Sequence, residues 1–466
     1  MPSSNTRSTP RWTLALGTAW LLALWGCTAP FDQRPTDVLP PLPEGPSGHL
    51  AKPGWQAQRF AVAAANPLAT EAGYRVLKAG GTAVDAAVAV QMVLGLVEPQ
   101  SSGLAGGAFL LHWDGRQVQA WDGRETAPAA ADERLFIGPD GKPMPLQAAV
   151  VGGRSVGVPG AVRMLEAAHR QHGRLPWAQL IQPAIQLAEQ GFPMRPRLHT
   201  QLAGESALRT DPRAAAYFYR PDGAPHPIGR PMPNPAMAAV LRQIAERGSA
   251  ALHSGAVAAD IVARVQNHPV NPGRMTLADL SAYQPVQREP ICTLWKQVYR
   301  VCGMPPPSSG HLAVMQILGI LERLPPGGPP QRQGLPAPDW LHRYTEAARL
   351  AYADRNEVVA DPAFVPAPRG DWRTMLDPAY LSQRAALIGE RSMGQAAPGN
   401  LGLPARVAGP VEAYPEHGTS HISIVDGEGH SVAMTTTIEA VFGSRLMSDG
   451  GTGLPGGFLL NNQLTD

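Results

Sequence analysis

The chain has 466 residues, of which 44% are apolar and 16% are charged, a composition that excludes a disordered protein and allows a sizeable buried core. Its formal net charge is only +2 and its basic residues form no run of five, so we expect no nucleic-acid interface. The 49 glycines and 49 prolines predict many turns.

The N-terminus is predicted to be a targeting signal. Arg7 and Arg11 border an apolar run over residues 12–25, which has the length of a signal-peptide core and is too short to span a bilayer. Because the sequence around Cys27 is similar to a bacterial lipoprotein cleavage site, we expect residues 1–26 to be removed and Cys27 to be lipidated. An ordinary export signal and a retained anchor are the alternatives.

Residues 27–58 are rich in Pro and Gly and show no apolar period, so they are predicted to be a tether between membrane and folded body. The protein is thus expected in the periplasm of a bacterial cell envelope, held to the membrane only by a lipid anchor. Export favours a disulfide between Cys292 and Cys302, which flank a hairpin-like run. A metal site is the weaker alternative, because no further ligands lie nearby.

Apolar periodicity then predicts helices and hairpins in mixed order. The predicted helices cover 70–79, 85–97, 161–172, 180–190, 237–247, 256–266 and 341–354. The predicted hairpins cover 109–121 and 421–438. This order is not an alternation of strand and helix, which argues against a doubly wound parallel fold.

The second hairpin brings together two threonines. The turn signal lies at 426–429, and a loop of about three residues there pairs positions whose numbers sum to about 856. Thr419 then lies opposite Thr437, within about two residues of register error. Two adjacent hydroxyls can hold each other in one rotamer, although threonine-rich strands are more often structural.

Thr419 follows Gly418 and a long unpatterned stretch over 394–417. A threonine becomes nucleophilic when a base is adjacent, and its own α-amine, which titrates near pH 8, can serve once the peptide bond before it is cut. Gly418 permits the strained backbone that an N-to-O acyl shift needs. The residues therefore allow self-cleavage between Gly418 and Thr419.

Three sets of segments together resemble the γ-glutamyltransferase family, also known as γ-glutamyltranspeptidases or glutathione hydrolases, which are N-terminal nucleophile hydrolases. The segments are 66–73 with 80–87, 98–103 with 122–128, and the Thr419 region with 459–463. They occur in family order. Weaker matches lie between them, so the resemblance covers residues from about 60 to 466.

The resemblance implies an α+β fold, a four-layer αββα sandwich. It also implies a precursor that cuts itself into a large subunit, residues 59–418, and a small subunit, of which residues 419–466 are the first part. The two subunits remain together as a heterodimer. By the family pattern Thr419 is the nucleophile, its freed amine is the base, and Thr437 supports the nucleophile's hydroxyl. No cofactor and no metal are implied.

The resemblance further implies how a substrate is held. Arg124 matches the arginine that binds the substrate α-carboxylate, a role that suits its planar fork; a surface ion pair with Glu125 is the alternative. Glu439, Gln463 and Asp466 match positions that bind the α-ammonium. Many family members have asparagine at the position of Glu439, whose carboxylate still accepts hydrogen bonds from an ammonium but does not suit an anionic group.

The family's small subunit is longer than the 48 residues from Thr419 onward. A serine pair that helps to hold the α-carboxylate, a glycine pair that forms the oxyanion hole and several strands have no counterpart here. We therefore expect the sequence to be a fragment of a longer product. If it is the whole product, we expect poor folding and no catalysis.

The favoured function is that of a γ-glutamyl hydrolase and transferase that acts on glutathione and related γ-glutamyl amides. Thr419 would form a γ-glutamyl ester, and water, an amino acid or a peptide would accept the acyl group. One alternative is an amidase like the related cephalosporin acylases. The other is a truncated, non-catalytic envelope lipoprotein.

Overall fold

A computed structural model describes residues 56–402 and 418–465 of the chain. The described helices are α1 Pro67–Lys78, α2 Ala83–Val97, α3 Leu146–Val150, α4 Ala161–His172, α5 Trp177–Gln190, α6 Pro196–Gly204, α7 Pro212–Phe218, α8 Pro235–Arg247, α9 Ala250–His253, α10 Gly255–Gln266, α11 Leu277–Ala282, α12 Gly310–Leu321, α13 Pro338–Val358 and α14 Pro378–Ala385. The predicted signal, Cys27, the tether up to residue 55 and Asp466 lie outside the described residues.

The strands of the described residues are mostly short. They are β1 Ala61–Ala63, β2 Gly107–Trp113, β3 Val118–Gly123, β4 Phe192–Pro193, β5 Pro231–Met232, β6 Val286–Arg288, β7 Ile291–Trp295, β8 Tyr299–Gly303, β9 Gln331–Arg332, β10 Leu335–Pro336, β11 Thr419–Val425, β12 Ser431–Thr437, β13 Met447–Ser448 and β14 Phe458–Leu459. Six of them form the main sheet in the order β1-β11-β12-β2-β3-β6. Every neighbouring pair in it is antiparallel, and this sheet with its mixed helices confirms the predicted α+β class.

The register between β11 and β12 is the one expected from the hairpin signal. Thr419 pairs with Thr437, and the pairing continues without a slip to Val425 and Ser431. On β11 the side chains alternate, so that Ile422 and Ile424 are buried while Thr419 is exposed. The buried face packs on α2, which contacts both strands. On the opposite face of β11, Thr419, His421, Ser423 and Val425 are exposed.

Helix α2 is the centre of the main core, and all its residues are buried. It begins with a capping box, in which the Thr82 hydroxyl accepts from the Asp85 N–H and the Asp85 carboxylate accepts from the Thr82 N–H. The Asp426 carboxylate, in the β11–β12 turn, also accepts from the Ala83 N–H at 3.1 Å. The hairpin that carries Thr419 is therefore fixed to the N-terminus of the core helix.

The predicted helices are all present, and most of them begin one to three residues earlier than the apolar period indicated. Proline is the reason in α1, α8 and α13, because it occupies the first helical position, where its missing N–H is not needed. The short helices α6, α7 and α14 were not predicted. Each also begins with proline, and each is too short for a clear period.

A second group of helices packs away from the main core. Helices α12, α13 and α14 share two smaller apolar clusters. The fully buried Asp354 carboxylate on α13 links this helix to α14, since it accepts from the Tyr380 hydroxyl at 2.8 Å and pairs with Arg384 at 3.0 Å.

The predicted disulfide is present, because Cys292 and Cys302 face each other in the β7–β8 hairpin and are bonded. Among the described residues, no helix combines the length and apolar character needed to cross a bilayer.

Candidate active site

The site begins with the first residue of β11. Thr419 lies in register with Thr437 at the last position of β12, and side chains paired in this way lie on the same face of the sheet. The Thr419 hydroxyl donates a hydrogen bond of 3.2 Å to Oγ1 of Thr437. Thr419 is exposed, whereas Thr437 is only 8% exposed. The strand pairing thus holds an accessible hydroxyl against a buried one.

The Thr437 hydroxyl is a junction of three hydrogen bonds. It accepts from the Thr419 hydroxyl and from the Glu439 N–H, the latter at 2.8 Å. It donates its own proton to the carbonyl oxygen of Gly418, also at 2.8 Å. That carbonyl belongs to the peptide bond that is predicted to be cut. Thr437 therefore contacts both the candidate nucleophile and the carbonyl that it would attack.

Two glycines allow the backbone to come this close. A Cβ atom on Gly418 would lie 2.4 Å from the carbonyl oxygen of Glu439, and one on Gly106 would lie 2.2 Å from that of Thr437. Gly418 is buried even though the residue after it is exposed. A side chain at either position would displace the strand end that carries Thr437.

Glu439 follows β12 at the start of a tight turn. Its backbone is left-handed, with φ of 74°, a conformation that few residues other than glycine and asparagine adopt readily. Its carboxylate accepts from the Ala440 N–H at 2.6 Å and from the Asn462 side-chain amide. Asn462 also accepts from the Ala440 N–H at 2.9 Å. The carboxylate is therefore held beside Thr437 by a local network.

Arg124 follows the last residue of β3, at the same end of the sheet as Thr419. Two strands, β12 and β2, lie between them. Since neighbouring strands are about 4.8 Å apart, the two backbones are separated by roughly 14 Å, which an arginine and a glutamyl group can bridge together. Asp122 accepts from the Arg124 N–H at 2.8 Å, and the Arg124 carbonyl accepts from the Tyr283 hydroxyl at 2.8 Å. The half-buried Arg124 side chain lies 5.9 Å from the Phe109 ring.

The segment that ends with Gln463 is fixed by Asn461. This fully buried side chain donates to the carbonyls of Ala105 and Gly157, each at 2.8 Å. Its oxygen accepts from the N–H groups of Gly157 and Gln463, each at 2.9 Å. Gln463 is 7% exposed and opens a short 3₁₀ turn. Asn461 thus brings the Gln463 segment to the loop before β2, next to the end of β12.

Of the predicted site residues, Gly418, Thr419, Thr437 and Glu439 form one contiguous cluster. Arg124 and Gln463 lie at the same end of the main sheet, while Asp466 and Cys27 lie outside the described residues. Cys292 and Cys302 form their disulfide elsewhere, on β7 and β8. Among the described residues, no group of three or more His, Cys, Asp or Glu side chains is placed to hold a metal ion.

Neither Asn462 nor Tyr283 is predicted from the sequence to have a role. Asn462 lies inside a quoted motif, but only the structure shows its amide beside Glu439. Tyr283 is distant in sequence from Arg124, and burial raises the pKa of its hydroxyl, which stays protonated as a donor. Neither contact follows a periodic pattern, so only the tertiary structure reveals it.

Comparison with known proteins identifies the family. The model of the family described as gamma-glutamyltranspeptidase matches residues 69–466. The chain belongs to the gamma-glutamyltranspeptidase family. The glutathione hydrolase proenzyme of Escherichia coli (strain K12) is a relative, 34% identical over 439 residues, or 94% of this chain and 71% of that protein. The chain spans about two thirds of the length of the first curated relatives that it matches, at 66%, 71% and 68%.

Solved structures of a family member and of a related acylase have the same fold as this chain. The gamma-glutamyltranspeptidase of Helicobacter pylori superposes with a TM-score of 0.69 at 30% identity, covering 75% of this chain and 98% of that one. A cephalosporin acylase from Bacillus halodurans superposes with a TM-score of 0.73 at 26% identity, covering 90% of this chain and 73% of that one. The predicted family and N-terminal nucleophile hydrolase fold are therefore confirmed. The curated glutathione hydrolase relatives, rather than the TM-scores, support the γ-glutamyl enzyme class over its acylase branch.

Proposed function

We propose that the chain is part of a self-processing γ-glutamyl hydrolase and transferase that cleaves γ-glutamyl amides such as glutathione. The observation that carries the proposal is the position of one hydroxyl. Thr437 Oγ1 lies 3.2 Å from Thr419 Oγ1 and 2.8 Å from the carbonyl oxygen of Gly418. A nucleophile, its target carbonyl and a hydrogen-bond donor to that carbonyl are thus in one place.

Self-cleavage uses these three groups. The Thr419 oxygen bonds to the carbonyl carbon of Gly418 while the Thr437 hydroxyl stabilises the negative charge that develops on the carbonyl oxygen. The peptide C–N bond then breaks, and the proton that leaves the Thr419 hydroxyl ends on its nitrogen. Water hydrolyses the resulting ester, which leaves Gly418 with a carboxylate and Thr419 with a free hydroxyl and a free α-amine.

Turnover repeats the same chemistry on a substrate. The α-amine of Thr419, with a pKa near 8, takes the proton of its own hydroxyl, and the oxygen bonds to the γ-carbonyl carbon. The amide C–N bond breaks, the leaving amine takes the proton, and a γ-glutamyl ester remains. Water releases glutamate from this ester, whereas an amino acid or peptide gives a new γ-glutamyl amide.

The substrate is held by its amino-acid end. Arg124 would pair with the α-carboxylate, and Glu439, Gln463 and Asp466 would bind the α-ammonium, the last of these on the family pattern alone. The Glu439 carboxylate already accepts two N–H donors within the protein, and a substrate ammonium is a further donor. A carboxylate at this place favours donors with a free ammonium over those with an acyl or neutral group, which distinguishes this function from that of an acylase.

Processing would give a large subunit, 59–418, and a small subunit that begins at Thr419.

We place the protein in the periplasm of the bacterial cell envelope. The arginines and apolar run before Cys27 support a signal peptide, and lipid on Cys27 would be its membrane anchor. Globomycin treatment of the native host, which blocks lipoprotein signal cleavage, should retain residues 1–26 if Cys27 is lipidated.

The test is the intact mass and the activity of the full-length product from its native host. Wild type should give two pieces, the smaller beginning at Thr419, whereas Thr419→Ala should stay whole and Thr419→Ser should still be cut. The processed protein should hydrolyse a γ-glutamyl anilide at least tenfold faster than a glutaryl anilide, which lacks the α-ammonium. Equal or reversed rates would favour the acylase, and an uncut, inactive wild type would contradict both.

A further inference from the structure

The turn that carries Glu439 has an unusual backbone. Between Glu439 and Arg445, four residues have a left-handed φ: Glu439 at 74°, Phe442 at 64°, Gly443 at 56° and Arg445 at 63°. Only Gly443 adopts this conformation freely, because it has no Cβ. Such a backbone persists only where its surroundings hold it, and turns of this kind cluster at functional sites.

One side chain of the turn holds it to a distant element. The Arg445 guanidinium donates through Nη1 to the Gly443 carbonyl at 2.5 Å, and through Nε and Nη2 to one oxygen of Glu205 at 3.3 and 3.2 Å. The other oxygen of Glu205 accepts from the Ala207 N–H at 2.7 Å. The two side chains are only 9% and 12% exposed, so solvent screens their attraction little.

The turn joins this ion pair to the candidate active site. At its start, the Glu439 N–H donates to the Thr437 hydroxyl, and the Glu439 carboxylate accepts from the Ala440 N–H. At its end, the Arg445 N–H donates to the Phe442 carbonyl at 3.0 Å. The Phe442 N–H donates to the Gln100 carbonyl at 3.2 Å. Only the five residues 440–444, whose backbone is hydrogen-bonded at both ends, separate Arg445 from Glu439.

We propose that the Arg445–Glu205 ion pair positions the γ-glutamyl donor by fixing the 439–445 turn so that the Glu439 carboxylate faces the donor's α-ammonium. The inference rests on the proposed function. Arg445 and Glu205 are positioning residues, because neither is placed to contact the reacting atoms. Glycine at 445 would adopt the same φ without strain, so the backbone alone does not explain an arginine there. Lysine lacks the fork that contacts Glu205 and Gly443 together.

The experiment uses the full-length protein from its native host and two measurements. Hydrogen exchange by mass spectrometry reports on the amides of residues 440–445, and kinetics with a γ-glutamyl anilide give KM and kcat. The variants are Arg445→Gly, Arg445→Lys and Glu205→Gln. The control is Arg349→Gln. Like Arg445, Arg349 donates both to a carboxylate, that of Glu346 at 3.2 Å, and to a backbone carbonyl, that of Gly394 at 2.6 Å. Arg349 lies on α13, in the second group of helices.

We expect Arg445→Gly and Glu205→Gln to speed exchange in the turn at least tenfold and to raise KM about tenfold with kcat changed less than threefold. Arg445→Lys should recover part of the affinity, and Arg349→Gln should change neither quantity. Unchanged exchange in both pair variants would overturn the inference, as would faster exchange with an unchanged KM. A wild type that is inactive on the anilide contradicts the proposed function instead, and exchange still decides whether the pair holds the turn.

Discussion

The Thr437 hydroxyl donates a 2.8 Å hydrogen bond to the carbonyl oxygen of Gly418. Oγ1 of Thr437 in turn accepts from the Thr419 hydroxyl at 3.2 Å. Since a hydroxyl has one proton, the direction of the first bond requires Thr437 to be the acceptor in the second. Thr437 therefore polarises the carbonyl of the bond to be cut and orients the hydroxyl that would cut it.

Replacing Thr437 with valine removes this donor at nearly constant volume. We expect Thr437→Val to slow self-cleavage by a factor of about 10²–10³, the usual effect of losing one oxyanion donor. The measurement is the rate at which the piece beginning at Thr419 appears by intact mass. The control is Thr436→Val, because the fully buried Thr436 hydroxyl has no hydrogen-bond partner among the described residues. A normal rate in Thr437→Val would show that the hydroxyl has no part in cleavage.

Arg124 offers a test of substrate binding that leaves processing untouched. Loss of its charge-assisted contact with the α-carboxylate should raise the KM for a γ-glutamyl anilide by about tenfold or more in Arg124→Gln. Intact mass should still show normal cleavage at Gly418. Arg116→Gln, at the exposed β2–β3 turn, is the matched control. A KM that does not change would remove Arg124 from the substrate site.

Gly418 is predicted to tolerate no side chain. In Gly418→Ala the new methyl group would meet the Glu439 carbonyl oxygen, at 2.4 Å in the present backbone, so the strand end must shift. We expect processing to slow by at least tenfold, followed by intact mass over time. Gly427→Ala in the hairpin turn is the control, because a Cβ there would enter open space. Equal rates in the two variants would mean that the backbone at Gly418 adjusts without cost.

Stability should depend on pH through a buried histidine. Burial, with a contribution from neighbouring His172, lowers the pKa of His112 from 6.5 to about 4. The unfolded chain therefore binds a proton that the folded chain does not, and the free energy of unfolding falls as pH decreases from about 6.5 to 4, by up to about 3 kcal/mol. Thermal unfolding of His112→Gln should show a weaker fall across that window, whereas the more accessible His342→Gln should match wild type. A slope unchanged by His112→Gln would contradict this origin.

The sequence predicted the parts of the site that local patterns encode. The turn at 426–429 and strict alternation defined the pairing of Thr419 with Thr437, because one register slip would turn Ile422 and Ile424 outward. Motif resemblance supplied Arg124, Glu439 and Gln463, whose roles remain predictions. Local patterns are sufficient where a single hairpin creates the contact.

Contacts between distant segments could not be predicted in this way. Glu205 and Arg445 are 240 residues apart, and Asn461 meets Gly157 across 304 residues. Nothing periodic links such pairs, since each depends on how whole helices and loops pack. The left-handed φ at Arg445 is equally hidden, because arginine carries no sequence signal for it.

The main sheet places β11 between β1 and β12, and β12 in turn pairs with β2. A cut before Thr419 therefore frees a new chain end without freeing the strand, which stays hydrogen-bonded to the first piece on both sides of the hairpin. The precursor refolds as one molecule, but the separated pieces must find each other. Recovery after denaturation should thus depend on protein concentration only once cleavage has occurred. The cleaved protein would then keep its structure because the two pieces unfold and separate slowly, and not because they refold readily.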